Sequence, residues 1–245
     1  MTKDGRPSRI NDIRYFFRDR YSYLEGHHDA VAHGRRLAWF LNGEGFSLGS
    51  YTALYLLFTP TLSPGEVRVT DDGGDWWQRY THVGVPQHFP EGGDTSDIVK
   101  QGTVAALTAI RPDLAAAINR ADEIVRMGGE ELFFPLKAHK TRKHVLEVSF
   151  NIAPWPRPSQ LLVGLTLAGD GRYLEAEPVP IQIYSDAFDL CGQVRLLQTQ
   201  ARVLPNESVS AGLTSVRHGG ALTFSIFDFK PARRRVYSKQ VKRRG

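Results

Sequence analysis

The chain has 245 residues, of which 41% are hydrophobic and 23% are charged, a balance that is typical of a globular protein and excludes a generally disordered one. This length suits one large domain or two small ones, and it allows a core that needs neither disulfides nor a structural metal. The net charge is +5, but the last sixteen residues alone carry +8, which leaves −3 for the 229 residues before them. The positive charge is therefore concentrated at the C-terminus, in Lys230, Arg233, Arg234, Arg235, Lys239, Lys242, Arg243 and Arg244.

The N-terminal part is predicted to mix helices and strands. Residues 10–42 are expected to be helical in parts, with a short helix that Asp29 caps and that ends at Asn42-Gly43. Three strands should follow, because runs rich in Tyr, Leu, Val and Thr are bounded by Pro and Gly. The last two strands flank a turn-forming run of Asp and Gly and should form a hairpin. The three predicted strands are residues 50–58, 66–70 and 78–85.

The middle of the chain carries the clearest helical pattern. Apolar residues recur at helical spacing over residues 95–127, and Arg111-Pro112 divides this stretch into two helices. The hydrophobic period then changes to two, which predicts antiparallel neighbouring strands at residues 146–152 and 161–167 with one buried face. Later strands are predicted at residues 181–184, 196–204, 222–229 and 235–241.

These elements predict an α+β fold. It consists mainly of antiparallel sheet, with an N-terminal helical region and a central helix pair at about residues 96–127, rather than a regular series of βαβ units. The glycine-containing loop at residues 91–94 is the expected boundary between an N-terminal α+β subdomain, 1–92, and a second part, 93–245. A single domain is the alternative.

The run Gly45-Phe46-Ser47-Leu48-Gly49 matches the G-x-S-x-G pattern of the hydrolase nucleophile elbow. A hydrolase interpretation would take His218 as the base and Asp186 or Asp189 as the residue that orients it. The context argues against this interpretation, because the elbow requires a strand before the serine and a helix after it. Here the preceding residues are predicted to be partly helical and the following ones to form a strand. A glycine-rich loop is the better interpretation of Ser47.

A metal site is a weak alternative for the first predicted helix. Asp29 and His33 are four residues apart and would share one helical face. No HExxH motif or cysteine lies nearby. The sequence also contains no recognised motif for a cofactor, so we expect none.

Aromatic residues supply the candidate binding surface. Trp76 and Trp77 are adjacent and Tyr80 follows shortly after, so at least one ring is expected to face outward. Trp155, flanked by prolines in a predicted loop, is a second exposed candidate. Exposed Trp and Tyr are enriched among the residues that dominate binding energy at protein interfaces, although packing of both indoles under neighbouring loops is the alternative.

The basic tail has three interpretations: a disordered, solubilising end, an edge strand or a binding arm. Val236 to Val241 has enough β-propensity for an edge strand, in which Lys and Arg would protect the edge from aggregation. The same cations would attract phosphate groups or an acidic protein surface. Only one aromatic residue, Tyr237, lies among them, and no recognised nucleic-acid-binding signature is present.

The sequence therefore favours a non-enzymatic bacterial interaction protein, of the accessory or toxin-neutralising (immunity) type, that binds a protein partner through aromatic anchors. An acidic partner is one of the alternatives. The first alternative is a nucleic-acid-binding protein that uses the basic tail, and the second is a hydrolase that uses Ser47. The single cysteine, Cys191, has no partner for an internal disulfide, and the start of the chain lacks the apolar core of a secretory signal. We expect a cytoplasmic protein that does not associate with membranes.

Overall fold

The structure, a computed structural model, describes residues 9–10, 12–70, 74–233 and 235–236. It has the predicted α+β fold with mostly antiparallel sheets. Contacts between Cα atoms divide the chain into two compact units, Met1–Gly129 and Glu130–Gly245, which we call the N-terminal and C-terminal units. The boundary between the two units lies after the helix pair, whereas the predicted boundary, between residues 92 and 93, lies before it.

The N-terminal unit consists of a four-stranded sheet and three α-helices. Its strands are β1 (Asp12–Phe17), β2 (Ala53–Thr59), β3 (Val67–Thr70) and β4 (Gln78–Gly84), and its helices are α1 (His28–Gly43), α2 (Thr95–Ile110) and α3 (Ala115–Gly128).

The sheet of this unit has the strand order β1-β2-β4-β3. The pairs β1/β2 and β2/β4 are parallel, and α1 connects β1 to β2. The predicted hairpin is confirmed, since β3 pairs antiparallel with β4. The short helix predicted within residues 10–42 is confirmed as α1, whereas residues 12–17 form β1, a strand that was not predicted. Asp29 lies in the first turn of α1 and not at its cap, which is His27.

The helices pack on one face of this sheet, and two glycines allow the close approach. A Cβ atom at Gly34 of α1 would lie 1.6 Å from the Tyr15 hydroxyl oxygen, and one at Gly102 of α2 would lie 2.8 Å from the Phe58 ring. Tyr15 is buried, its hydroxyl lies 3.2 Å from Thr103 Oγ1, and burial raises its pKa. Because the helix pair contacts this sheet, it belongs to the N-terminal unit.

A buried histidine links α1 to α3. His33 Nε2 lies 2.7 Å from Asp122 Oδ1. Burial lowers the pKa of His33, and the smaller opposing effect of the Asp122 carboxylate does not cancel it. His33 is therefore neutral in the folded protein at pH values where an unfolded chain would already bind a proton.

We expect the free energy of unfolding to decrease as the pH falls through the unfolded-state histidine pKa of about 6.5, because only the unfolded chain then gains a proton at this position. Urea denaturation at a series of pH values measures this dependence. His33→Gln should flatten it, whereas His28→Gln, at an exposed position of the same helix, should leave it unchanged. An equal pH dependence in both variants would contradict the assignment.

The C-terminal unit consists mainly of strands, with two short helices, α4 (Asp186–Leu190) and α5 (Val209–Arg217). Its strands are β5 (Phe134–Lys140), β6 (His144–Phe150), β7 (Ser159–Leu167), β8 (Tyr173–Glu175), β9 (Val179–Ile181), β10 (Gln193–Leu196), β11 (Gln200–Leu204), β12 (Leu222–Ser225) and β13 (Lys230–Pro231).

The larger sheet has the order β13-β8-β7-β6-β5, and β9 also pairs with β7. β6 and β7 are antiparallel neighbours, as their alternating patterns predict, and Leu146 pairs with Leu165. The smaller sheet has the order β10-β11-β12. The prediction of a single strand at residues 196–204 is wrong. The chain reverses after Leu196, and β10 pairs antiparallel with β11.

An aromatic cluster forms part of the core of the C-terminal unit. Phe150 of β6 lies 6.0 Å from Phe134 and 5.3 Å from Phe188 between ring centroids, and Phe188 lies 5.9 Å from Tyr184. Such edge-to-face and tilted contacts stabilise a core beyond the area that they bury. Among the described residues of the whole chain, no helix has the length and apolar character that crossing a bilayer demands.

Candidate protein-interaction surface

The sheet of the N-terminal unit has a second face, opposite the helices, that is rich in aromatic side chains. Side chains alternate between faces along a strand, and Tyr15 and Phe58 point to the helices. The register pairs Arg14 with Tyr55 and Tyr55 with Tyr80, and places all three side chains on the opposite face. Phe16 shares this face, because it is two residues from Arg14.

Two buried rings form the inner layer of this face. Phe16 and Tyr55 are stacked with their centroids 5.5 Å apart, and both are buried. Three partly or largely exposed rings cover them. Tyr23 lies 4.7 Å from Phe16, whereas Tyr80 and Trp77 lie 5.0 and 5.9 Å from Tyr55. The three aromatic residues named from the sequence therefore differ in exposure. Trp77 and Tyr80 are partly buried in a cluster, while Trp76 is 79% exposed.

Two turns present the most exposed rings. Asp19 Oδ1 accepts hydrogen bonds from the backbone N–H groups of Tyr21 and Ser22 at 2.8 and 2.9 Å, so this turn holds Tyr21, which is 78% exposed, and Tyr23, which is 58% exposed. The other turn carries Trp76 and is closed by the hydrogen bond from Gln78 N to Asp75 O, at 2.9 Å.

Tyr80 lies between these two turns. Its phenol is within electrostatic range of Arg20 and Tyr21 from the first turn and of Asp75 from the second. The two turns therefore flank one surface of the sheet, and the exposed rings are carried on these turns. We call it the aromatic surface and define it as Tyr21, Tyr23, Trp76, Trp77 and Tyr80.

The aromatic surface is close to electrically neutral. Residues 12–25 and 75–80 contain four arginines and four acidic residues. Arg14 donates to Asp12 at 3.0 Å and also lies over the Tyr55 ring, 5.4 Å from its centroid. Burial raises the pKa of Tyr55 and of Tyr80, so both phenols stay protonated near neutral pH and retain an O–H donor.

Two of the five residues of this surface were not predicted from the sequence. Trp76, Trp77 and Tyr80 were identified, but not Tyr21 and Tyr23, because residues 10–42 were expected to be helical in parts. Two adjacent signals were available: the apolar and aromatic residues around Tyr15 and Phe16, and a Tyr-Ser-Tyr turn directly after them. A strand prediction for residues 12–17 would have placed these tyrosines at the end of a strand.

Trp155 lies in the C-terminal unit, in the proline-flanked loop where the sequence analysis expected it. Its side chain is 52% exposed. No ring contact with another described aromatic residue is formed there. Trp76 likewise forms no ring contact with a described aromatic residue, but it directly precedes Trp77, which packs on Tyr55.

The residues of the hydrolase alternative do not form a nucleophile elbow. Ser47 lies between α1 and β2, so a helix precedes it and a strand follows, the reverse of the required order. Its Oγ accepts a hydrogen bond from Gly49 N at 3.0 Å. In the C-terminal unit, His218 Nε2 does lie 3.3 Å from Asp186 Oδ2, as proposed for an orienting pair. Asp189 instead accepts hydrogen bonds from Ser210 and Thr214.

The residues of the metal alternative bind other side chains. Asp29 accepts a hydrogen bond from Lys100 Nζ at 2.7 Å, and this contact lowers the pKa of its carboxyl group. His33 is occupied by Asp122. Across the residues that the structure describes, no three His, Cys, Asp or Glu side chains cluster in a way that could hold a metal ion.

The described start of the basic tail has a structural role. Arg235 donates to Glu175 Oε2 at 2.9 Å and lies over the Phe133 ring, 5.0 Å from its centroid. Val236 is buried against Phe133 and Leu162. Arg233 is exposed. The remaining tail cations of the prediction lie outside the described residues: Arg234, Lys239, Lys242, Arg243 and Arg244.

We expect Arg235→Ala to lower the free energy of unfolding by about 1–3 kcal/mol, because it leaves the buried Glu175 carboxylate without its ion pair. Arg235 is partly exposed, so the effect should be smaller than for a fully buried pair. Arg233→Ala removes an equal charge from an exposed position and should change stability by less than about 0.5 kcal/mol. Thermal and urea denaturation measure both values. Equal effects would contradict an anchoring role for Arg235.

The aromatic surface combines apolar rings with the O–H and N–H donors of its Tyr and Trp side chains. This combination is suited to binding another macromolecule rather than to acid–base or nucleophilic chemistry. No protein-family model matches the chain, and neither the curated proteins nor the solved structures gave a significant match.

Proposed function

We propose that this chain is a non-enzymatic interaction protein that binds a protein partner through the aromatic surface of its N-terminal unit. The observation that carries the proposal is the 79% exposure of Trp76, which directly precedes Trp77 of the aromatic cluster, together with the exposure of Tyr21 and Tyr23. Large aromatic side chains left in water cost free energy, which burial against a partner recovers at about 25 cal/mol per Å². Trp, Tyr and Arg are also the residues that most often dominate binding at protein interfaces.

The layered packing supports the same proposal. Tyr23 rests on Phe16, and Trp77 and Tyr80 rest on Tyr55, so most of the outer rings are held by a rigid sheet. Rings that are fixed before binding lose little conformational entropy on association. Such a surface resembles the preformed centre of an interface more than a flexible loop.

Charge favours a protein partner over a nucleic acid at this surface. Four arginines and four acidic residues cancel, so the surface lacks the net positive charge on which phosphate binding depends. Mixed charges around an aromatic centre are instead typical of protein interfaces, where the polar rim determines specificity and the rings supply affinity.

We also infer a cytoplasmic location. Cys191 is the chain's single cysteine and is buried, and burial raises the pKa of its thiol to about 12. A protonated, inaccessible thiol is suited to a reducing compartment and has no role in disulfide formation.

Affinity capture from the native cells tests the proposal. Tagged wild-type protein, Trp76→Ala and Trp155→Ala are compared after nuclease treatment, with bound species identified by mass spectrometry. Trp155→Ala is the matched control, because it removes an exposed indole from the other unit. Support requires a nuclease-resistant protein that both the wild type and Trp155→Ala retain and Trp76→Ala loses. Equal recovery on all three would reject the aromatic surface as the binding site.

A further inference from the structure

One end of the larger sheet of the C-terminal unit collects cations from three separate parts of the chain. The end of β5 and the β5–β6 turn contribute Lys140, Arg142 and Lys143, the β7–β8 turn contributes Arg172, and the segment after β13 contributes Arg233. All five side chains are exposed. We call this set the basic row, and it is independent of the aromatic surface and of residues 237–245.

The strand register places these residues at the same end of the sheet. Lys140 pairs with Val145 at the start of β6, and His144 pairs with Leu167 at the end of β7. Thr166 pairs with Tyr173, directly after Arg172, and Ala232 N donates to Tyr173 O at 3.3 Å, directly before Arg233. The row therefore extends across five strands. At about 4.8 Å between neighbouring strands, four intervals give a length of roughly 19 Å.

A cleft of about 560 Å³ lies between the two turns. Arg142, Lys143, His144 and Arg172 line it, together with Asp170, the one acidic residue among its lining residues. The hydrogen bond from Arg172 N and the ion pair with the Arg172 guanidinium lower the pKa of the Asp170 carboxyl group. Lys140, Arg142 and Lys143 form no ion pair with any described residue, so their charge remains available to a ligand.

We propose that the basic row binds the phosphodiester backbone of a nucleic acid, with one phosphate in the cleft between Arg142 and Arg172. Guanidinium groups match phosphate geometry through paired N–H donors, which makes Arg the usual residue for phosphate recognition. The cleft contains one acidic residue, Asp170, among its cations, and a row of about 19 Å complements a linear polyanion that presents several phosphates in succession. Contacts to phosphates alone carry no sequence information, so binding is independent of base sequence.

Fluorescence anisotropy of a labelled single-stranded oligothymidine, titrated with the full-length protein over a series of salt concentrations, tests this proposal. The test variant is Arg142→Gln with Lys143→Gln. The control variant, Arg120→Gln with Arg195→Gln, removes the same charge from exposed positions outside the row. Circular dichroism confirms that both variants are folded. A labelled polyglutamate peptide serves as an acidic polypeptide of comparable charge.

We expect the test variant to bind oligothymidine roughly tenfold more weakly than the control variant at low salt. The slope of log K against log salt should also decrease in magnitude by about 1.4, because each of the two lost phosphate contacts on a single strand contributes about 0.7. Equal affinity of the test and control variants would overturn the proposal and assign any binding to the tail. Tighter binding of polyglutamate than of oligothymidine, with the same loss in the test variant, would also overturn it and indicate an acidic protein partner.

Discussion

Trp76→Ala should weaken binding of the captured protein partner by at least about 30-fold, equivalent to about 2 kcal/mol of binding free energy. The indole is 79% exposed in the free protein, so its removal creates no cavity and should leave the free energy of unfolding within about 0.5 kcal/mol of the wild type. Isothermal titration calorimetry of the purified pair measures the affinity, and urea denaturation measures the stability.

A loss of affinity without a loss of stability distinguishes a direct contact with the partner from a general effect on folding. Trp77→Ala should reduce both affinity and stability, because Trp77 also packs against Tyr55 and belongs to the buried cluster on this face. Trp155→Ala should change neither by a measurable amount. A loss of affinity in Trp76→Ala that is smaller than in Trp155→Ala would place the interface elsewhere on the protein.

Phe58→Ala should lower the free energy of unfolding by about 3–5 kcal/mol, the largest effect on stability that we expect from one substitution. Phe58 lies in the middle of the sheet of the N-terminal unit and is fully buried. Its ring stacks on Tyr15 and on Phe89, at centroid distances of 6.3 and 5.4 Å, and its edge faces Gly102 of α2. The substitution therefore opens a cavity where the helices pack on the sheet.

Urea denaturation followed by tryptophan fluorescence measures this effect, because three of the four tryptophans, Trp39, Trp76 and Trp77, lie in the N-terminal unit. Phe227→Ala, at an exposed position of the C-terminal unit, is the control and should change stability by less than about 0.5 kcal/mol. A loss below about 1 kcal/mol for Phe58→Ala would contradict the packing of α2 on this sheet.

The fold class and the helix pair follow from hydrophobic period alone, whereas several individual elements do not. β1 was not predicted although Asp12-Ile13-Arg14-Tyr15 alternates polar and apolar residues, the period of a half-buried strand, because residues 10–42 were interpreted as partly helical. Residues 196–204 keep a strand-like composition through their turn, which contains neither Gly nor Asn to indicate the reversal. α5 begins at a Ser208 cap, but the residues that follow it have weak helix propensity.

Only part of the aromatic surface can be predicted from the sequence, because it depends on which strands become neighbours. The paired tryptophans are visible as a motif, but Phe16 and Tyr55 come together only through the parallel β1–β2 register. The basic row can likewise be predicted only in part from the sequence. Its cations at residues 140–143 are adjacent in sequence, while Arg172 and Arg233 join them through strand pairing in the folded sheet.

The most direct test of the interaction proposal is hydrogen–deuterium exchange on the purified protein with and without its captured partner. The proposal predicts slower exchange on binding in peptides that cover residues 18–24 and 74–80, the two turns that carry the aromatic surface. Protection confined to the C-terminal unit, with unchanged exchange in both turns, would contradict it.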